Sequence, residues 1–168
     1  MTEQDIIYKL ISWIDRNKYP YQCLRAFIYG WECDYWCMDK EGITREFEIK
    51  ISRSDYFADA KKPKHSIQGA NYFYYVCPEG LIKKDEVDPR YGLIYVKAEN
   101  WADTTVVKNP KKLHGNKFDR WADLANKFHG KWWSLWMEKF KQQEISRDEY
   151  KNGFLVDFDA CFAASEIK

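Results

Sequence analysis

The chain has 168 residues, of which 18% are aromatic and 32% charged, and its formal net charge is +1. This length fits one domain and this composition can bury a core, which excludes an intrinsically disordered chain. The near-neutral charge excludes a uniformly basic nucleic-acid coat, so any nucleic-acid surface must be local. No stretch reaches the roughly 20 apolar residues of a membrane helix, so we expect a cytoplasmic protein with no membrane partner.

The first third of the chain predicts a helix followed by a β-hairpin. Apolar residues recur at helical spacing over residues 3–17, which indicates an amphipathic helix ended by Tyr19-Pro20. Residues 23–38 are rich in aromatic and β-favouring types, residues 39–42 supply a turn, and residues 43–51 resume an alternating pattern. These features are typical of a hairpin.

A second helix and two buried strands are expected next. Residues 52–62 predict a short helix with Ser52 or Ser54 as its cap. Residues 71–77 and 91–96 are short apolar runs, as in strands covered on both faces.

The last third predicts a Trp-rich helical extension. Residues 108–117 form a polar connector, and an amphipathic pattern over residues 118–136 indicates a long helix or helix pair, interrupted near Gly130. Residues 106–151 contain eleven Lys and Arg against six Asp and Glu. We expect the tryptophans to pack against the sheet, with single-strand binding or a dimer contact as alternatives.

These elements predict one α/β domain over residues 1–168. Its mixed central sheet would have four or more strands flanked by helices. The core would occupy about residues 3–97, and the helical extension about residues 106–168.

Two carboxylates and a lysine form the most informative constellation. Glu48 and Lys50 share one face of the second hairpin strand, because alternate residues of a strand point the same way. A buried charge needs a partner, and the neighbouring strand supplies Asp34. Oxygen ligands of this kind suit Mg²⁺ or Mn²⁺, while a lysine ammonium can orient an attacking water and offset negative charge. The expected reaction is phosphodiester hydrolysis.

The motif D-(x)n-E-x-K on a hairpin preceded by a helix resembles that of the PD-(D/E)xK, or restriction-endonuclease-like, nucleases. Over roughly residues 3–97 the chain is similar to the MmcB-like, DNA-repair branch of that superfamily. The similarity is carried by the segments IKISRSDYFAD, KH and NYFYYVCPEGLI. Cys33 stands where a proline commonly precedes the aspartate, a position that varies in the family.

The resemblance implies a Mg²⁺- or Mn²⁺-dependent DNA nuclease with a restriction-endonuclease-like fold. Asp34, Glu48 and the backbone carbonyl of Ile49 would bind the metal, and Lys50 would be the catalytic lysine. Glu3 on the first helix is a candidate for completing the site. Glu32 shares a strand face with Asp34 and could assist the metal or lie at the solvated strand end.

A basic cluster follows the catalytic strand and could contact DNA phosphates. A solvated helix face explains it almost equally well, and Gln68 is a weaker candidate for a polar helper. The cluster comprises Arg53, Lys61, Lys62, Lys64 and His65.

The five cysteines fit no compact zinc module, so we expect core thiols. Two alternatives to a nuclease stay open: a catalytically silent nuclease fold that binds nucleic acid or protein, and an interaction protein built around the Trp helices. The strandedness of the DNA, endo- or exonucleolytic cutting, and a homodimer or recognition subunit as partner are not decided by the sequence.

Overall fold

The computed structural model describes residues 1–59, 69–98 and 104–141. The described elements, in chain order, are α1 (Glu3–Trp13), β1 (Tyr21–Phe27), β2 (Glu32–Met38), β3 (Thr44–Ile49), α2 (Arg53–Asp59), β4 (Tyr72–Pro78), β5 (Gly92–Val96), β6 (Thr104–Lys108) and α3 (Trp121–Lys141).

The six strands form one sheet in the order β1-β2-β3-β4-β5-β6. β1, β2 and β3 make an antiparallel meander, β4 and β5 run parallel to β3, and β6 is antiparallel to β5. The parallel step from β3 to β4 needs a crossover, and α2 lies in that connection. The prediction of an α/β protein with a mixed sheet is therefore confirmed.

The first helix covers one face of the sheet. Thr2 and Asp5 form a capping box, in which the Thr2 side chain accepts from the Asp5 backbone and the Asp5 carboxylate accepts from the Thr2 backbone. Ile6 and Leu10 are fully buried against Phe47 and other apolar residues of this face. The helix ends at Trp13, earlier than the predicted residue 17, because Ile14 is already extended.

The opposite face of the sheet carries two apolar clusters and several charged side chains. One cluster centres on Trp36 and Phe118, whose ring centroids lie 5.3 Å apart. The other centres on Tyr75 and Tyr91. The buried charged residues of β3 and the position after it, Glu46, Glu48 and Lys50, lie on this face, opposite α1.

Three sequence predictions differ from the structure. Residues 23–38 contain two strands and not one, because a turn with Gly30 at a φ of 96° separates β1 from β2. β6 was not predicted, and it lies where the helical extension was expected to begin. The predicted interruption at Gly130 is wrong, since α3 is continuous through it.

The chain divides into two compact units, residues 1–124 and 125–168. The first holds the sheet, and Leu124 is buried in its Trp36 cluster. Within the second, the rings of Trp132 and Trp136 lie 5.3 Å apart on α3. No helix in the described ranges is long and apolar enough to span a membrane.

Candidate metal and phosphodiester site

The hairpin of β2 and β3 brings the predicted carboxylates together. Tyr35 pairs with Phe47, so one further step of the same antiparallel register places Asp34 opposite Glu48. The Asp34 Oδ2 atom accepts a hydrogen bond of 2.7 Å from the backbone N–H of Ile49. This bond holds the carboxylate across the end of β3.

Lys50 follows β3 directly and is buried. Its backbone N–H donates to the carbonyl of Val76 on β4, which fixes the peptide that joins Ile49 to Lys50. Its ammonium donates to Glu48 Oε1 at 2.9 Å. The structure thus brings the predicted triad to one end of the hairpin.

The charges at this end repel as well as attract. Burial and the nearby charge of Glu48 raise the pKa of Asp34 to about 6, against an opposing effect of the Ile49 hydrogen bond. Burial by itself lowers the pKa of Lys50, but the carboxylates of Glu48, Asp59 and Asp55 together raise it above its usual value. The site therefore holds a protonated lysine beside two crowded carboxylates.

The two additional acidic candidates occupy different positions. Glu3 lies in the first turn of α1, 4.0 Å from the Arg25 guanidinium, and its charge contributes to the raised pKa of Asp34. Glu32 is the exposed first residue of β2 and pairs with Phe27. Glu3 is thus within electrostatic reach of the predicted site.

The predicted phosphate-binding residues are only partly described. Arg53 forms a two-pronged pair with Glu86, with contacts of 2.5 and 3.0 Å, and also donates to the Leu81 carbonyl. This pairing lowers the pKa of Glu86 to about 2 and holds the guanidinium against the loop after β4. Lys61, Lys62, Lys64, His65 and Gln68 lie outside the described residues.

Sequence reasoning missed three side chains around Lys50. Asp59 Oδ1 and Asp55 Oδ2 lie 3.5 and 3.6 Å from the Lys50 ammonium. Tyr75, opposite Glu48 on β4, donates to Asp59 Oδ2 at 3.2 Å. The four-residue spacing of Asp55 and Asp59, which puts both on one helix face, was the signal available in the sequence.

The donor set fits a hard divalent cation. Asp34 and Glu48 offer carboxylate oxygens from adjacent strands, and a backbone carbonyl and waters can complete the oxygen ligands that Mg²⁺ prefers. A divalent cation would also relieve the repulsion that raises the pKa of Asp34. Among the described residues there is no group of three or more His, Cys, Asp or Glu arranged as a metal cluster.

The four described cysteines are buried thiols. Cys23, Cys33, Cys37 and Cys77 are buried, and none of them forms a disulfide within the described ranges. Burial raises the pKa of the Cys37 thiol to about 12 and that of Cys77 to about 11, so both are protonated at neutral pH. Cys161 lies outside the described residues.

No family model matches the sequence, and no curated protein matches it. Among solved structures, the chain is similar to the SPO1766 protein of unknown function from Silicibacter pomeroyi, with a TM-score of 0.63 and 15% sequence identity. The similarity covers 87% of this chain and 95% of that one. At this identity the likeness concerns the fold alone.

Proposed function

We propose that the protein is a metal-dependent nuclease that hydrolyses phosphodiester bonds in DNA. The observation that carries this proposal is the end of the β2–β3 hairpin. There the Asp34 carboxylate, whose pKa is raised to about 6, faces Glu48, and Glu48 is bonded to the buried ammonium of Lys50. Crowded carboxylates beside a cation are costly for a fold, and such arrangements concentrate at functional sites.

In this proposal Asp34, Glu48 and the Ile49 carbonyl hold Mg²⁺ or Mn²⁺. Such an ion, when bound, lowers the pKa of a water and offsets charge on the phosphate oxygens. The Ile49 N–H keeps the Asp34 carboxylate in place for binding. Lys50 donates a hydrogen bond to the attacking water and offsets the negative charge of the phosphate oxygens in the transition state.

The topology supports a restriction-endonuclease-like fold of the MmcB-like branch. A helix precedes an antiparallel meander, Asp34 and Glu48 lie on its last two strands with Lys50 directly after the last one, and a short helix leads to a parallel strand. DNA contacts would come either from basic residues between 53 and 65 or from the basic C-terminal helices. Because Arg53 is paired with Glu86, it would have to exchange partners to bind a phosphate.

The proposal is tested by incubating the full-length protein with single- and double-stranded DNA in Mn²⁺, Mg²⁺ or EDTA. The Lys50→Ala variant is purified and assayed in parallel to expose contaminating nuclease. We expect cleavage that requires metal and is lost in Lys50→Ala. Absence of cleavage by folded wild-type protein on all substrates would contradict the proposal and favour a catalytically silent binding module.

Metal binding is measured separately by titrating Mn²⁺ into wild-type protein and Asp34→Asn. We expect the substitution to weaken binding strongly, because it removes a charged oxygen ligand. Equal affinity in the two proteins would show that the metal site lies elsewhere.

A further inference from the structure

The ammonium of Lys50 is surrounded by carboxylates on two sides. Glu48 Oε1 approaches from β3 at 2.9 Å, and from α2 Asp59 and Asp55 approach at 3.5 and 3.6 Å. The Lys50 side chain is only 3% exposed. Three carboxylates thus surround one ammonium, although one of them would already balance its charge.

Asp59 differs from Asp55 in its surroundings. Its side chain is fully buried, whereas that of Asp55 is 46% exposed. Burial of a carboxylate is strongly unfavourable unless a countercharge and hydrogen bonds compensate it. Lys50 provides the countercharge at Oδ1, and the Tyr75 hydroxyl donates to Oδ2.

Tyr75 gives Asp59 a rigid support. It is 2% exposed, lies opposite Glu48 in the β3–β4 register, and packs edge-to-face on Tyr56 at a centroid distance of 5.0 Å. Asp59 is therefore held from the sheet and from its own helix. The hydrogen bond from Tyr75 to Asp59 does not involve Glu48.

In the proposed nuclease, Glu48 both binds the metal ion and accepts a hydrogen bond from Lys50. A carboxylate that shares its charge with a divalent cation attracts an ammonium less strongly. Lys50 would then lose its closest partner at the moment when it must point at the attacking water. A carboxylate outside the metal site is needed to keep it in place.

We propose that Asp59, anchored by Tyr75, is a positioning residue that holds the Lys50 ammonium in its reactive location, with Asp55 as a weaker, solvent-facing second support. This inference rests on the proposed function, because positioning matters only if Lys50 takes part in catalysis. The contact between Asp59 and Lys50 is made by protein groups alone, so one of its two readouts needs no metal.

The kinetic test compares wild-type protein with Asp59→Asn. Misplacement of a catalytic group lowers turnover by about 100-fold. We expect kcat to fall by that order, with the KM for DNA and the calorimetric affinity for Mn²⁺ changed by less than about twofold, since Asp34 and Glu48 are intact. Tyr75→Phe should lower kcat less, because the pair of Asp59 with Lys50 is kept.

The second readout is the accessibility of Lys50 itself. In metal-free protein at one fixed pH, a limiting amount of an amine-acylating reagent is applied and the Lys50 peptide is quantified by mass spectrometry. We expect several-fold more acylation in Asp59→Asn than in wild type. Asp39→Asn is the matched control, since Asp39 pairs with Arg45 at the far end of the hairpin, and there kcat and Lys50 acylation should not change.

The outcomes separate the two proposals. If wild type cleaves DNA but Asp59→Asn keeps its kcat and its acylation level, the positioning role is wrong and the nuclease stands. If wild type does not cleave DNA, the proposed nuclease activity and the positioning role of Asp59 in it are both wrong. Should Asp59→Asn fail to fold, Tyr75→Phe, which removes only the hydroxyl that donates to Asp59, serves instead together with Asp55→Asn. A smaller fall in kcat and a smaller rise in acylation are expected for each, and no change in both variants would overturn the proposal.

Discussion

The two ends of the β2–β3 hairpin differ in whether neighbouring charged side chains have opposite or like charge. At the turn end, the Arg45 guanidinium pairs with Asp39 at 3.2 Å and lies over the rings of Tyr19 and Tyr72, at 4.4 and 5.1 Å from their centroids. Beside it, the buried Asn71 amide bonds both the backbone and the hydroxyl of Thr44. Arg45 and Asp39, and likewise Asn71 and Thr44, are complementary partners, so these pairs contribute to stability at this end.

The other end gathers like charges. Asp34 and Glu48 lie on adjacent strands, and their repulsion adds to burial in raising the pKa of Asp34 to about 6. Lys50 compensates part of this charge from one side only. One hairpin therefore carries a stabilising end and an end that opposes folding, and the second kind is expected where a protein keeps a site for a ligand or a reaction.

The largest expected effect is that of Glu48→Gln at the charged end. The amide keeps the shape of the side chain but removes the negative charge that the proposed metal site requires, so we expect DNA cleavage to fall by about 1000-fold. The measurement is kcat/KM with Mn²⁺, beside thermal melting to confirm the fold. Asp39→Asn is the control at the other end and should keep wild-type turnover. Retention of about a tenth or more of the activity by Glu48→Gln would assign the charged end a structural role.

The next effect belongs to the turn end, with Asn71→Ala. Asn71 is 1% exposed and its amide also donates to the carbonyls of His114 and Asn116, at 3.1 and 2.7 Å. Removing the amide leaves these two carbonyls and the buried Thr44 N–H without this partner, which should cost about 3–4 kcal/mol in the free energy of unfolding. Urea denaturation measures this loss.

Turnover of Asn71→Ala, assayed at a temperature where the protein stays folded, should match wild type. Thr44→Val, which removes the hydroxyl and keeps the amide network, is the milder matched variant. A tenfold fall in turnover for folded Asn71→Ala would show that the two ends are not separable.

A third prediction concerns the pH dependence of stability. Because folding raises the pKa of Asp34 from 3.8 to about 6, the folded protein binds more protons than the unfolded chain between these values. This carboxyl therefore destabilises the metal-free protein progressively as pH rises from about 4 to about 6, by at most about 3 kcal/mol. Asp34→Asn removes the penalty, so it should be more stable than wild type above pH 6 and comparable at pH 4.

Chemical denaturation at pH 4 and at pH 7 measures the difference in the free energy of unfolding between wild type and Asp34→Asn, which should be larger at pH 7. Added Mn²⁺ should raise the melting temperature of wild type at pH 7 and leave that of Asp34→Asn unchanged. If this difference is the same at both pH values, the pKa of Asp34 is not raised by folding, and the claim that this end is crowded with like charges is wrong.

Asp34, Glu48 and Lys50 were predictable from the sequence because their spacing along the chain is enough to place them together on a hairpin. Glu48 and Lys50 are two residues apart at the end of β3, and one short turn separates that strand from the strand that carries Asp34. Asp59 was not predictable in this way. An acidic residue on a short polar helix is expected to be solvated, and its burial follows from how α2 packs beside Tyr75.

The elements show the same division between local and long-range signals. α1, β4 and β5 have clear apolar patterns and were predicted within a few residues. The turn between β1 and β2 was hidden because aromatic residues surround Gly30. α3 continues through Gly130 because one glycine costs a helix only about 1 kcal/mol, which the remaining turns can offset.

The smallest expected effect comes from Arg45→Met at the turn end. The apolar chain of methionine keeps contact with the two tyrosine rings but loses the ion pair with Asp39, whose side chain is only 14% exposed. We expect the free energy of unfolding to fall by about 1–2 kcal/mol, with little dependence on salt because the pair is partly buried. The double variant with Asp39→Asn should cost less than the sum of the two single variants, since both remove one interaction. Additive losses would mean that the rings of Tyr19 and Tyr72 alone hold Arg45 in place. The turn end would then differ from the charged end in its packing and not in the pairing of its charges.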